Sequence, residues 1–117
     1  MKILGIGVDI VENSRIKISM KSSLFIERIF SPSEIIASKK IKNNVAYYAK
    51  RFAAKEAFSK SIGTGFRDKL NFKDISVIND KMGKPTLILN EKVKKIIKKR
   101  FNISSYNFFL SISDEKK

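Results

Sequence analysis

Two separate segments of this 117-residue chain carry acidic residues in patterns that could perform chemistry. Residues 5–12 read Gly-Ile-Gly-Val-Asp-Ile-Val-Glu and place Asp9 at the end of an apolar run. Residues 51–60 place Glu56 among several cations on one helical stretch, which a glycine loop follows. Two carboxylates from separate elements, set among cations, suit a hard divalent metal that holds a phosphorylated substrate. This pairing favours an enzyme.

Each of these residues also has a purely structural interpretation. Glu56 and Lys60 are four residues apart, so they could form an ordinary helix-surface ion pair worth about 0.3–0.5 kcal/mol. Asp9 could simply cap or form a turn at a strand end. The loop at residues 63–65 follows a helix, where the dipole does not favour phosphate, although its N–H groups could still approach one. Spacing alone leaves these alternatives open.

The composition excludes several kinds of chemistry. The chain has no cysteine and no histidine, which removes cysteine nucleophiles, histidine bases, structural zinc sites and disulfides. Catalysis must therefore use Asp, Glu, Lys, Ser, backbone groups or a metal held by oxygen ligands. The length predicts one domain that covers residues 1–117.

The charge of the chain is strongly positive. Lys and Arg number 25 against 11 Asp and Glu, a formal net charge of +14, which attracts polyanions such as an acidic protein, a phosphorylated cofactor or nucleic acid. Compositional drift on solvated faces is an alternative source of part of this excess. The apolar runs are too short to span a bilayer and no signal peptide is recognisable, so we expect a cytoplasmic protein.

The apolar pattern predicts the elements that position these residues. A strand is expected from Ile3 to Val11, with one buried apolar face and one face cleared for a close approach. The apolar face would contain Leu4, Ile6, Val8 and Ile10, and the cleared face Gly5, Gly7 and Asp9.

Four helical stretches are predicted. Asn13 or Ser14 should cap a helix that begins at Arg15, and residues 25–30 continue helically. Residues 31–34, Ser-Pro-Ser-Glu, form a capping box for a third helix. The clearest helix runs from Val45 to Ile62, with Gly63 as its C-terminal cap.

The second half of the chain predicts a sheet. Residues 72–79 and 86–89 should form a hairpin around a turn at residues 80–83. Asn90 should cap a basic helix through Phe101, and residues 107–113 should form a last strand. The expected class is α+β, with an antiparallel sheet packed against a long helix.

In these motifs the chain resembles the holo-[acyl-carrier-protein] synthase branch of the 4′-phosphopantetheinyl transferase family. The matching segments occur in order along nearly the whole chain, and the one at residues 51–65 is highly specific. They are residues 7–12 with 15–16, residues 30–34, residues 51–60 with 63–65, residues 79–80 and residues 83–85.

The resemblance implies a reaction. The 4′-phosphopantetheine arm of coenzyme A would move to a serine of an acidic acyl-carrier protein, in support of fatty acid biosynthesis, and adenosine 3′,5′-bisphosphate would be released. Asp9 and Glu56 would bind Mg²⁺, for which Mn²⁺ should substitute. Because histidine is absent, the base would be a carboxylate, with Glu56 the candidate, or a metal-bound water, and Lys60 would neutralise the leaving phosphate.

The resemblance also implies binding residues and an assembly. Short bacterial members of this family form trimers with active sites between subunits, so the resemblance implies a homotrimer. Arg15 and Arg28 would meet the carrier protein. The residues expected around coenzyme A are Arg51, Lys55, Ser59, Lys60, Gly63, Thr64, Lys84 and Pro85.

Two departures from the family pattern leave alternatives open. Residues 111–114 read Ser-Ile-Ser-Asp where the family often has Ser-x-Ser-His. The family normally continues with a further strand after the position of Lys117, so we expect the last strand to lack a partner and the chain to be less stable or prone to associate. The rivals are a weakened or inactive member that still binds the carrier, and a basic nucleic-acid-binding module.

Overall fold

The computed structural model describes residues 3–63, 70–103 and 105–112 of the chain. Within these ranges five α-helices, one 3₁₀ turn and one β-hairpin are present. The helices are α1 (Asn13–Ser19), α2 (Ser23–Ile29), α3 (Pro32–Ser38), α4 (Asn44–Ile62) and α5 (Glu91–Phe101). The 3₁₀ turn is Phe72–Asp74, and the hairpin strands are β1 (Ile75–Asn79) and β2 (Pro85–Leu89).

Helix α4 is the central element, and its prediction is confirmed. The Asn43 side chain accepts a hydrogen bond from the Ala46 N–H at 3.2 Å, which satisfies one of the free donors of the first turn. The helix ends at Gly63, whose φ of 74° is in the left-handed region that glycine adopts without strain. Hydrophobic clusters pack against both its halves.

One cluster joins the second half of α4 to the hairpin and α5 through Phe58, Ile62, Leu70, Ile75, Leu89, Val93 and Ile97. The other joins its first half to the first three helices through Ile16, Phe30, Tyr47, Tyr48 and Ala49. Among the described residues, none of the helices is both long and apolar enough to cross a membrane.

The helix caps match the predictions except at α1. Ser31 and Glu34 form the predicted capping box of α3, and the Asn90 side chain accepts from the Val93 N–H at the start of α5. The predicted cap of α1 by Asn13 or Ser14 is wrong. Glu12 is the residue before this helix, and its side chain makes no capping hydrogen bond, so Asn13 already belongs to the first turn.

The hairpin brings residues 75–79 against residues 85–89 in antiparallel register. Gly83, with φ of 83°, makes the tight turn, and the Asp80 carboxylate accepts hydrogen bonds from the N–H groups of Met82 and Lys84. The predicted first strand is shorter than expected because Phe72–Asp74 folds as the 3₁₀ turn. The α+β class, with a hairpin packed against the long helix, is confirmed.

The prediction of a strand at residues 3–11 is wrong, because this segment is neither strand nor helix in the structure. Its apolar residues are exposed instead of buried, with exposures of 76% at Ile6, 72% at Val8 and 89% at Ile10. The opposite face packs on α4. A Cβ added to Gly5 would strike the backbone of Ser61, and one added to Gly7 the backbone of Ala57. The face cleared of side chains therefore receives a helix.

The predicted last strand is also wrong for the residues described. Residues 107–112 form no ladder, and Ser113 lies outside the described ranges. Within those ranges, the sheet consists of β1 and β2 alone. Alternating sequence marks a segment that can pair but does not supply a partner, and a strand requires one.

The close approach of the glycines to α4 leads to a stability prediction. Gly7→Ala should destabilise the protein by about 1–3 kcal/mol or more, because a rigid helix backbone, not a flexible side chain, occupies the position of the new methyl group. Chemical denaturation followed by circular dichroism measures the loss. Gly83→Ala is the control, since nothing lies within 4 Å and only the positive φ costs about 1–2 kcal/mol. Equal losses in the two variants would contradict the close packing.

Candidate active site

A cavity of about 300 Å³ lies between the N-terminal segment, α1 and α4. Asp9, Glu12 and Glu56 contribute carboxylates to it, and Arg15 contributes a guanidinium. Phe25 and Phe52 form part of its apolar wall. The two acids singled out from the sequence therefore line one cavity, although 46 intervening positions separate them along the chain.

Asp9 is held by a cation from α4. The Lys60 Nζ donates to Asp9 Oδ1 at 2.7 Å and to the Val8 carbonyl at 3.4 Å. The Asp9 side chain is 14% exposed and that of Lys60 is 53% exposed. The structural alternative of an ion pair between Glu56 and Lys60 is thus replaced by a pair that joins α4 to the N-terminal segment.

Glu56 is electrostatically linked to the same group. Partial burial raises the pKa of Glu56, the negative charge of Asp9 raises it further, and Lys60 partly offsets both effects. A carboxyl group with a raised pKa is a better proton acceptor near neutral pH than an ordinary one. The same repulsion favours a cation between the two acids.

The donor set of the cavity fits magnesium. Mg²⁺ is typically held by one or two carboxylates and completes its shell with waters and substrate phosphates. Asp9 and Glu56 supply that number, and the raised pKa of Glu56 shows that their charges interact. No group of three or more histidine, cysteine or acidic side chains able to hold a metal occurs in the described part of the chain.

Lys55, which we predicted to contact the nucleotide, is enclosed in the single chain. Its side chain is fully buried, and its ammonium group donates to the Ile29 and Phe72 carbonyls, at 2.7 and 3.0 Å, and to Glu34. Three acceptors use all the donors that a lysine has. Burial lowers the pKa of Lys55, and the charge of Glu34 opposes this effect.

Arg51 and Ser59 are similarly enclosed. Arg51 is 7% exposed, donates from Nε to the Val77 carbonyl at 3.2 Å, and lies 3.7 Å from the centre of the Tyr47 ring. The Ser59 hydroxyl is buried and donates to the Glu56 carbonyl at 3.0 Å. Arg51 thus ties α4 to β1, whereas the hydrogen bond of Ser59 stays within α4. The predicted contacts of these two side chains with the cofactor are not visible in the single chain.

The glycine loop begins where α4 ends. Gly63 is exposed, and Arg100 of α5 donates from Nη2 to its carbonyl at 3.3 Å. Thr64, for which we predicted a cofactor contact, lies outside the described residues, as does Gly65. Arg100 was not among the residues singled out from the sequence, because nothing in the sequence of a basic helix distinguishes the cation that contacts Gly63.

The remaining predicted residues are on the surface. Lys84 and Pro85 belong to the hairpin turn and the first position of β2, and neither lines the cavity. Arg15 lines it, whereas Arg28 is exposed in the last turn of α2 outside it. The structure thus brings Asp9, Arg15, Glu56 and Lys60 together and leaves Arg28, Lys84 and Pro85 apart.

A larger hollow of about 720 Å³ lies on another side of α4, towards α5 and residues 103–110. Among the described residues, its lining is mostly aliphatic and aromatic and includes no charged side chain. The smaller cavity carries the charged groups that acid–base or phosphate chemistry needs, so it is the candidate active site.

Comparison with known proteins identifies the class to which this site belongs. The family model of the 4′-phosphopantetheinyl transferase superfamily matches residues 5–110. The chain therefore belongs to this superfamily and is a transferase, which confirms the resemblance carried by residues 7–12 and 51–65.

Particular relatives lie in the holo-[acyl-carrier-protein] synthase branch. The chain is 71% identical to the holo-[acyl-carrier-protein] synthase of Pelagibacter ubique over 117 residues, which cover all of this chain and 91% of that protein. The structure is similar to the synthase from Neisseria meningitidis, with a TM-score of 0.87, 38% identity, and coverage of 98% of this chain and 91% of the other.

A third similar structure is a synthase from Bacillus anthracis in complex with coenzyme A (3′,5′-ADP), with a TM-score of 0.69 and 44% identity. The match covers 75% of this chain and 76% of that one.

Proposed function

We propose that this protein transfers the 4′-phosphopantetheine arm of coenzyme A to a serine of an apo acyl-carrier protein. The products are the holo carrier and adenosine 3′,5′-bisphosphate, and the whole chain acts as one catalytic domain in the cytoplasm, in support of fatty acid biosynthesis. The observation that carries the proposal is the charged cavity, where Asp9 and Glu56 meet in a chain 71% identical to a named synthase of this kind.

Asp9 and Glu56 hold Mg²⁺ in this proposal. When bound, the ion neutralises the coenzyme A diphosphate and stabilises the leaving phosphate. The mutual effect of the two acids on the pKa of Glu56 supports this role, because a cation relieves their repulsion. Mn²⁺ should substitute, since it is also a hard, octahedral cation.

Glu56 and Lys60 handle the proton and the charge of the reaction. The carrier serine loses its hydroxyl proton as its oxygen attacks phosphorus, and Glu56 accepts that proton directly or through a water. The place of Glu56 in the lining of the charged cavity supports this assignment. Lys60 is half exposed beside Asp9, so its ammonium group is within reach of the leaving phosphate.

The nucleotide contacts of this proposal come from two parts of the chain. Gly63 and Thr64 supply backbone N–H groups. Lys84 and Pro85 meet the nucleotide from the hairpin. These hairpin residues do not line the cavity of their own chain. An active site between two subunits would bring such separated groups to one ligand.

The exposed apolar face of residues 3–10 supports that assembly. Ile6, Val8 and Ile10 project to solvent, and so does Phe109, which is 84% exposed. Soluble monomers rarely leave so many large apolar side chains together in one short segment. We propose that a homotrimer buries this face and completes each active site with a neighbouring chain.

The carrier protein binds beside the cavity in this proposal. Arg15 lines the cavity and Arg28 is exposed on α2, so both can meet carboxylates of an acidic partner. The net charge of +14 adds long-range attraction to such a partner.

The first prediction tests the reaction and its acids. Asp9→Ala and Glu56→Ala should each lower transfer by about 100-fold or more, as expected when a group that stabilises transition-state charge is lost. Mass spectrometry of an apo carrier protein incubated with coenzyme A and Mg²⁺ measures the transfer. Glu91→Ala, which removes an exposed acid of α5, is the control and should retain activity. A wild-type chain that binds the carrier without modifying it would establish the inactive alternative.

The second prediction separates carrier recognition from turnover. Arg15→Glu and Arg28→Glu should raise the KM for the carrier by about tenfold, and the effect should shrink as salt rises. Lys60→Ala should lower kcat with little change in that KM. Lys95→Glu makes the same charge change on α5 and serves as the control. Equal losses in all variants would indicate general electrostatics and contradict the assigned roles.

The third prediction concerns assembly. Val8→Asp and Ile10→Asp should dissociate the trimer and lower activity, because a charge in an apolar interface has no partner there. Sedimentation equilibrium at several concentrations measures the mass. Ile36→Asp on α3 is the control, with a side chain that is 63% exposed outside the N-terminal segment. A wild-type protein that stays monomeric at high concentration would refute the assembly.

A further inference from the structure

The fully buried charges of Glu34 and Lys55 are not used by the proposed reaction. Both side chains have 0% exposure and form an ion pair. Burying a charge pair costs several kcal/mol of solvation per ion, and apolar residues of the same volume are often at least as stable. A contribution to stability is therefore a weak reason for this pair to be here.

The partners of the two groups come from several elements that are distant in sequence. Lys55 of α4 donates to the Ile29 carbonyl at the end of α2 and to the Phe72 carbonyl before β1. Glu34 of α3 accepts from the N–H of Ser31 and from the N–H of Val77 in β1, each at 2.9 Å. The pair thus links α2, α3, α4 and the hairpin through hydrogen bonds with strict directions.

Lys55 directly precedes Glu56 on α4. Successive side chains on a helix point about 100° apart, so Lys55 is directed into the protein while Glu56 lines the cavity. Asp9 leads into α1, which packs with α2 and α3 in one cluster through Val11 and Ile16. A slide of α4 against these helices would therefore move Glu56 relative to Asp9, and it would break the hydrogen bonds of Lys55 to Ile29, Glu34 and Phe72. The buried amine therefore determines where the neighbouring carboxylate lies.

The same amine also determines where α2 ends. Ile29 is the last residue of α2, and Arg28 precedes it with an exposed side chain. The hydrogen bond from Lys55 to the Ile29 carbonyl is 2.7 Å long. The Lys55 ammonium group of α4 thereby connects the helix that carries Glu56 to α2, the helix that carries Arg28.

We propose that Glu34 and Lys55 are positioning residues, which hold Glu56 in register with Asp9 and hold α2 beside them. Neither residue touches substrate. The inference rests on the proposed metal site and adds the reason why that site keeps its geometry.

The test replaces the pair with neutral residues of similar size. In Glu34→Gln/Lys55→Met, the glutamine oxygen can still accept from Val77 N–H, while the ammonium clamp is lost. Mn²⁺ binding, followed by the electron paramagnetic resonance of free Mn²⁺ with coenzyme A present and no carrier, should weaken by about tenfold, as for other residues that orient metal ligands. The kcat should fall by about 10- to 100-fold, since small misplacements have such effects.

A stability-matched variant separates positioning from simple destabilisation. Val93→Ala creates a cavity in the other hydrophobic cluster and does not touch the pair. At temperatures well below both melting midpoints, it should keep the wild-type Mn²⁺ affinity and kcat. The single change Glu34→Asp keeps both charges and only withdraws the carboxylate by one methylene group. It should shift both quantities in the same direction as the double variant, which keeps the test decisive if the double variant does not fold.

The outcomes distinguish the two proposals. If Asp9→Ala binds Mn²⁺ as tightly as the wild type, the metal site itself is wrong. If Asp9→Ala loses Mn²⁺ while the pair variants retain the affinity and kcat of Val93→Ala, the positioning role is refuted and the proposed function stands.

Discussion

The arrangement of this protein depends on one buried ion pair, Glu34 with Lys55. Lys55 donates hydrogen bonds to backbone carbonyls at the end of α2 and in the 3₁₀ turn before β1. Glu34 accepts hydrogen bonds from backbone N–H groups at the α3 cap and in β1. In a low-dielectric interior, leaving any of these groups unpaired costs about 1–3 kcal/mol or more, so the elements are restricted to the one arrangement that satisfies all of them. Apolar clusters on both sides of α4 supply the driving force for folding, but such contacts have no direction and would tolerate small slips of the helix.

The candidate active site differs from this ion pair, because it brings two like charges, the carboxylates of Asp9 and Glu56, close together. Partial burial raises the pKa of Glu56, the nearby charge of Asp9 raises it further, and Lys60 compensates only in part. The folded protein therefore holds the Glu56 proton more tightly than the unfolded chain does. The free energy of unfolding therefore falls as pH rises from the unfolded-state pKa of Glu56 through its higher folded-state pKa. Repulsion between neighbouring carboxylates is typical of functional sites, where the surrounding structure maintains an arrangement that is unfavourable by itself. Here the rigid connection one residue away, at Lys55, maintains it.

The N-terminal segment shows how one sequence pattern can serve two surfaces. Gly5 and Gly7 allow the backbone to lie directly against α4, which places Asp9 over Lys60. The alternate residues, among them Val8 and Ile10, consequently face outward. The alternation that places Asp9 in the site thus also creates an exposed apolar surface. If a homotrimer buries this surface, as proposed, assembly of the chains and completion of the active site depend on the same segment.

The sequence by itself determined the helices, the hairpin and the two acids. Local signals account for this success: the Ser31 capping box, the left-handed turn at Gly63 and the Gly83 turn act over a few residues, and each was predicted correctly. Family membership followed from the same short motifs. Only the tertiary structure decided which residues meet. The spacing of Lys55 on α4 did not distinguish a surface cation from a buried one, because its partners come from distant segments. For the same reason, the alternation of residues 3–11 predicted two faces, but the apolar face that we expected to be buried is exposed in the single chain, since burial depends on where α4 packs.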